Sequence, residues 1–180
     1  MKIQHYINPV KKPSAIQIVF QSFRRLSLRN LWKLVKKALA QPLFAVLTFW
    51  ATLKTYTIAE RYYPRTHDAN GEGNAFRHAF WNCLIMMYCC KVSSPQKALK
   101  WTKEITDLHE ELFPNDALSK KMDLHNNQVG RDYFMSLLPT IHRQFFETHF
   151  FIDQLMEMTN NIVLLESEDQ EPGFRLVKIE

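Results

Sequence analysis

MDLHNNQVGRD, residues 122–132, reads as a helix with one polar face turned inward. Asp123, Asn127 and Arg131 recur at i, i+4 and i+8 and share that face, with Gly130 on the same side. His125 lies about 200° around from Asp123 and points elsewhere, next to Gln128 and Asp132. On an exposed helix such a ladder contributes only a few tenths of a kcal/mol per pair. Beside Leu124 and Val129 it is costly to bury unless other helices satisfy it. That requirement points to a helical bundle whose interior receives polar side chains.

Two more clusters lie upstream: NAFRHAFWN, residues 74–82, and DLHEE, residues 107–111. On helical geometry His78 shares a face with Asn74, Trp81 and Asn82, while Asp107, Glu110 and Glu111 share another, with His109 offset from them. One interior can therefore receive His78, Glu110, Asp123, Asn127 and Arg131, with Gly130 allowing a neighbouring helix or a ligand to come close. Each residue also has a plainer account. His78 beside Trp81 fits a satisfied core histidine, His109-Glu110 fits a helix surface, and Asn126-Asn127 fits a cap or a pin for a loop.

The rest of the chain supports a mainly α, single-domain helical bundle. Of its 180 residues 46% are hydrophobic and only 4 are Gly, which excludes disordered, collagen-like and many-turned all-β designs. The apolar spacing predicts helices over 14–26, 29–40, 43–62, 75–92, 95–113, 118–136 and 140–160. Pro95 suits a first turn, capped by Ser93 or Ser94. Residues 1–13 read as an extended arm and 64–73 as a loop, with breaks at Pro114 and Pro139. Ile162–Leu165 and Phe174–Ile179 flank a polar linker and fit either a small C-terminal β-hairpin or a helix continuation. The Phe145, Phe146, Phe150, Phe151 group and the Met86-Met87 pair read as core. Cys83, Cys89 and Cys90 read as buried small hydrophobes, not as a disulfide framework or a zinc site.

Charge divides the chain at Glu60, the first acid. Residues 1–59 carry ten basic side chains and no acidic one, while the remainder holds thirteen basic and eighteen acidic. We read 1–59 as a basic arm with amphipathic and apolar helices, and 60–180 as the helical domain carrying the polar clusters. Leu28, Leu31, Trp32, Val35, Ala38 and Leu39 form a helical stripe beside Arg29, Lys33, Lys36 and Lys37, the pattern of a helix lying on an anionic membrane surface. The uncharged run Ala38–Leu53 has 16 residues, short of the roughly 20 a spanning helix needs. No signal peptide is evident, so the expected location is cytoplasmic, peripheral on the inner face of the membrane. Nucleic acid is the weaker partner, because no aromatic or glycine pattern of a nucleic-acid module accompanies the charge. Nothing in the residues sets an oligomeric state. Patterns for serine hydrolases, P-loop NTPases, Rossmann domains and zincins are absent.

The run RHAFWN…HEE…MDLHNNQVGRD resembles an uncharacterised bacterial domain family with an R-H-A-x-W, H-E and M-D-L-H-N-N-x-x-G-R signature, over roughly Gly71 to Asp132. The resemblance implies a shared site. One departure is Asn74, where an acid is expected before A-F-R-H. A looser similarity, to helical HD-type phosphohydrolases, rests on the order His78, His109-Glu110, Asp123, with Glu110 standing where those enzymes carry Asp.

The expected activity is hydrolysis of a phosphoester or similar anionic substrate. His78, His109, Glu110 and Asp123, with His125 as an alternative ligand, would hold a divalent metal that activates water. Arg77 or Arg131 would clamp the anion, while Asn126 and Asn127 would orient substrate or a ligand. A metal-free version keeps the same residues, with His78 or His109 as general base. Two rivals stand beside it: a non-catalytic, membrane-associated binding or regulatory module, and a toxin-like effector domain.

Overall fold

The computed structural model describes residues 13–64, 66 and 70–180. The expected arm lies outside these apart from Pro13, as do residues 65 and 67–69 of the expected loop.

Among the described residues seven helices follow one another, α1 (Ala15–Arg24), α2 (Leu28–Ala40), α3 (Pro42–Tyr62), α4 (Glu72–Val92), α5 (Pro95–Leu112), α6 (Ala117–Leu137) and α7 (His149–Asn160), before two short strands, β1 (Val163–Leu164) and β2 (Val177–Lys178). Local chemistry starts most of them. Ser14 and Gln17 form a capping box, Ser27 accepts from Asn30 N–H, Ser94 from Lys97 N–H ahead of Pro95, and Asp116 from Ser119 N–H.

α4 is the hub. It packs against α3, α5, α6 and α7 and is buried nearly all round. α3 presents Phe44, Thr48, Ala51, Thr55 and Ala59 inward, a line of mostly small residues. α6 comes closest. A Cβ on Gly130 would stand 2.2 Å from the Ala79 carbonyl oxygen, so the glycine serves the approach of the neighbouring helix.

The expected helix over 140–160 forms only from His149. Pro139 cannot continue α6, and residues 140–148 are spent on turns that serve α4. Gln144 Nε2 donates to the Lys91 carbonyl at 2.9 Å and Arg143 to the Ser93 carbonyl, covering acceptors that the end of α4 leaves open. Of the four phenylalanines read as core, Phe146 and Phe151 are buried and stack at 5.9 Å, but Phe145 is 71% exposed and Phe150 lies at the edge. The terminal strands pair in parallel, Val163 with Val177 and Leu164 with Lys178, so the element is a crossover and not a hairpin. Asn126 fixes it by donating from Nδ2 to the Val177 carbonyl and accepting from the Val177 N–H, both at 2.9 Å.

α2 departs from the one-sided stripe in the sequence. None of its residues is buried. Leu34 and Ala38 turn toward the bundle, whereas Leu28, Trp32 and Leu39 are 86%, 65% and 70% exposed. Two of its lysines reach the acidic part of the chain, Lys33 to Glu111 and Lys37 to Glu104 on α5. Among the described residues no single helix is long and apolar enough to cross a membrane; α2 and α3 together pass that test but are bent by 117°.

Candidate metal centre

α4 and α6 run side by side in the same direction, because α5 carries the chain back between them. Their polar faces therefore meet rung by rung. Asn74 Nδ2 lies 3.5 Å from Asp123 Oδ1, His78 Nδ1 3.2 Å from Asn127 Oδ1, and Asn82 Oδ1 3.0 Å from Arg131 Nη1. Each rung joins residues 49 apart, one turn of both helices above the last. α5 adds Thr106, whose hydroxyl accepts from Arg131 Nη1 at 3.1 Å, and Glu110, whose Oε1 accepts from Asn127 Nδ2 at 3.1 Å.

These bonds have a direction. The Arg131 guanidinium can only donate, so Asn82 must offer it oxygen. The Asn82 amide nitrogen then donates to Asn127 Oδ1 at 2.7 Å, which turns the Asn127 amide nitrogen toward Glu110. With Asn127 presenting its oxygen, His78 Nδ1 must carry the proton, and Nε2 is left with its lone pair. Asp123 Oδ1 stands 3.3 Å from that Nε2, and Arg77 Nη2 donates to it at 3.1 Å. A histidine fixed through one nitrogen, with the lone pair of the other turned to a cationic partner, is the arrangement found around metal ions.

His78, Glu110 and Asp123 each offer one ligand atom, and these atoms lie within 4.8 Å of one another, all three residues being buried. Burial pushes the Glu110 carboxyl up to about 8, with the nearby Asp123 carboxylate adding to the rise. Asp123 is raised to about 6 by burial, against the pull of Arg77. His78 is held well below its ordinary value by burial and then by Arg77 and His109. Two acids and a neutral imidazole that resist ionising together are the donor set a divalent cation relieves, since it supplies the charge that water no longer screens. The triad thus fits a metal through two oxygens and one nitrogen.

Most of the other site residues fall elsewhere. His109, directly before Glu110, points about 100° away and packs 5.1 Å from Trp81 and 4.8 Å from Phe113 in a cavity wall. Burial lowers it to about 4, so neither it nor His78 is a strong base near neutrality. His125 bonds the Arg175 carbonyl at 2.8 Å on the exposed side of α6. Asn126 holds β2. Arg131 is buried behind the triad and acts on Glu110 only through Asn82 and Asn127; it makes no ion pair among the described residues, and its Nε has no hydrogen-bond partner. Arg77 stays at the triad, with Nη2 also donating to Asn74 Oδ1 at 2.9 Å. Asn74, standing where an acid was expected, meets the Asp123 carboxylate with an amide nitrogen.

Two contributors were not singled out from the sequence. Thr106 carries a helical signal, four residues before Glu110. Asn115, whose Nδ2 lies 3.4 Å from Asp123 Oδ2, has none, because it comes from the loop before α6.

No curated protein and no solved structure matches this chain. A family described as Domain of unknown function (DUF6973) matches residues 35–163, which is well over half of the chain and includes every rung of the ladder, and the chain belongs to that family.

Proposed function

We propose that the protein is a metal-dependent hydrolase acting on a phosphoester or comparable anionic substrate at an anionic membrane surface. The observation that carries this reading is the triad His78, Glu110 and Asp123, buried on three different helices yet converging, with a guanidinium at its edge. A bound divalent ion would supply Lewis-acid polarisation and a water of lowered pKa. Arg77 offers N–H donors and positive charge to an anion arriving at the triad. Asn127 keeps the His78 imidazole in its Nδ1–H tautomer and steadies Glu110. Arg131 is a positioning residue that sets the sense of the amide chain.

Metal-loaded protein is expected to cleave a chromogenic phosphodiester, with turnover abolished by a chelator. Arg77→Gln should slow it about 100-fold, the usual loss when one donor to developing charge is removed. Turnover indifferent to chelator would sink the metal-dependent reading.

The membrane part rests on exposed side chains. Ile16 and Phe20 on α1, Leu28, Trp32 and Leu39 on α2, and Leu43, Val46 and Trp50 on α3 all face outward, alongside the basic residues of the same helices. Binding to phosphatidylserine liposomes is expected to weaken with salt. Arg29→Gln with Lys36→Gln should cost about 30-fold, taking roughly 1 kcal/mol for each charge at the surface. Trp32→Ala should reduce the part that survives high salt and leave the melting temperature nearly unchanged, because its ring is not packed in the bundle. A large melting loss instead would mean that Trp32 belongs to the core.

A further inference from the structure

Between α1, α2 and α3 on one side and α4 and α5 on the other lies a cavity of about 290 Å³. Val19, Leu34, Ala38 and Phe49 line one side, and Trp101 and Ile105 the other. Dry apolar cavities of about 150 Å³ already take up a benzene-sized hydrocarbon, and small-ligand sites begin at roughly 300 Å³.

Its polar lining is confined to a few groups, and of the fully buried polar atoms among them all but one have protein partners. Thr48 Oγ1 accepts from Trp101 Nε1 and Thr52 Oγ1 from Trp81 Nε1, both at 2.9 Å. The exception is Thr55. Its hydroxyl is buried with no hydrogen-bond partner among the described residues, although the residue is only 2% exposed. Thr52 meets Trp81, and the Tyr56 ring lies 5.7 Å from the Arg77 guanidinium. α3 therefore runs antiparallel to α4 here, and Thr55 falls at the level of His78. Arg77, His78 and His109 form the wall at that same level. The chamber is thus apolar along its body and polar at one end, and the polar end is the edge of the metal triad.

We infer that this chamber binds the hydrocarbon chain of a single-chain anionic amphiphile, with its head group held by Arg77 and the Thr55 hydroxyl beside the triad. The inference rests on the hydrolase reading only for what happens to the head group; the chain site stands on the cavity and the orphaned hydroxyl. Exposed apolar residues on the outer side of α1–α3 put a source of such molecules, a lipid surface, against the wall of the chamber.

The test measures binding of butyl, hexyl and octyl phosphate to the full chain by calorimetry, with and without chelator. Affinity is expected to rise about fourfold per added methylene. Ala38→Trp and Ala45→Trp, which fill the chamber, should each flatten that dependence while leaving butyl phosphate binding as it was. Thr55→Val, which keeps the shape and removes the hydroxyl, should weaken all three ligands by a common factor, and octanol should not sense the change. If the chain-length dependence persists in chelator and in Asp123→Asn, the chamber is confirmed whether or not the protein turns over a phosphoester. A flat dependence in the native chain overturns the inference. So does a dependence that both filling variants leave intact, or one that disappears with Trp32→Ala, which would put the chain on the outer surface. Melting curves accompany each variant; should one filling variant unfold, the other decides.

Discussion

Protein carrying His78→Ala or Asp123→Asn is expected to lose near-stoichiometric divalent metal when purified without chelator, with affinity falling by more than the 10–100-fold that a supporting residue costs. Asn127→Ala should fall inside that range, because it removes a support for both His78 and Glu110 and leaves the three donors in place. Equilibrium dialysis across Mg, Mn, Fe and Zn reads all three variants. The same residues set a pH dependence. In the metal-free protein Glu110 keeps its proton up to about 8, whereas an unfolded chain releases it near 4.5. From pH 6.5 to 8 the folded state therefore binds more protons, and stability falls as pH rises, by up to about 1.4 kcal/mol per pH unit. Below about 6.5 the histidines act oppositely. Unfolded imidazoles take up protons that buried His78 and His109 refuse, which offsets the protons that Glu110 and Asp123 hold in the folded state, so stability is nearly level between about pH 4.5 and 6. Metal displaces the Glu110 proton, so saturating metal should remove the alkaline decline, and Glu110→Gln should remove it without metal. Stability that stays level from pH 6.5 to 8 in the native metal-free chain would show that Glu110 is ionised throughout.

Gly130→Ala is the second large effect. The added methyl would meet the carbonyl oxygen, Cα and carbonyl carbon of Ala79 at 2.2, 2.7 and 2.8 Å, all of them backbone atoms that cannot turn aside. α4 and α6 must separate, and all three rungs lengthen with them. A cost near the upper end of overpacking, about 3 kcal/mol, corresponds to a melting loss of about 6–12 °C for a chain of this size. Metal affinity should fall in the same variant. Gly71→Ala, which meets nothing within 4 Å, is the control. Equal melting temperatures for the two would show that the helices absorb the methyl.

Much of this arrangement is written in short-range periodicity. The i, i+4, i+8 spacing of Asp123, Asn127 and Arg131, and the matching spacing of Asn74, His78 and Asn82, mark two polar faces that a mainly α chain has to bury against each other. Serine and proline at 94 and 95 mark the start of α5. What periodicity leaves open is direction and depth. His109 and Glu110 are adjacent in sequence, and only the packing of α5 decides that Glu110 enters the ladder while His109 joins Trp81 and Phe113. Arg131 sits on the polar face beside the other members, yet its place at the closed end makes it a support and not a contact. The segment 140–148 contains helix-compatible residues, but its side chains are taken up by the end of α4. The parallel pairing of β1 and β2 depends on Asn126, fifty-one residues from Val177. The chamber has no signature in sequence, since it arises from small residues on separate helices leaving the same space.

The constant separation of 49 residues along the ladder carries a consequence for how such a chain can vary in length. A single residue inserted or deleted within α4 or α6 between the rungs rotates everything beyond it by about 100° and takes the remaining rungs out of register together. Additions at Ser93-Ser94 or in the turn before Asp116 change the separation and leave both faces as they are. Length variation should therefore be tolerated in the two connections flanking α5 and excluded from the helices they join. The count of 49 records the length of α5, its two connections and the helix stretches beside them; the four-residue step is what the site requires.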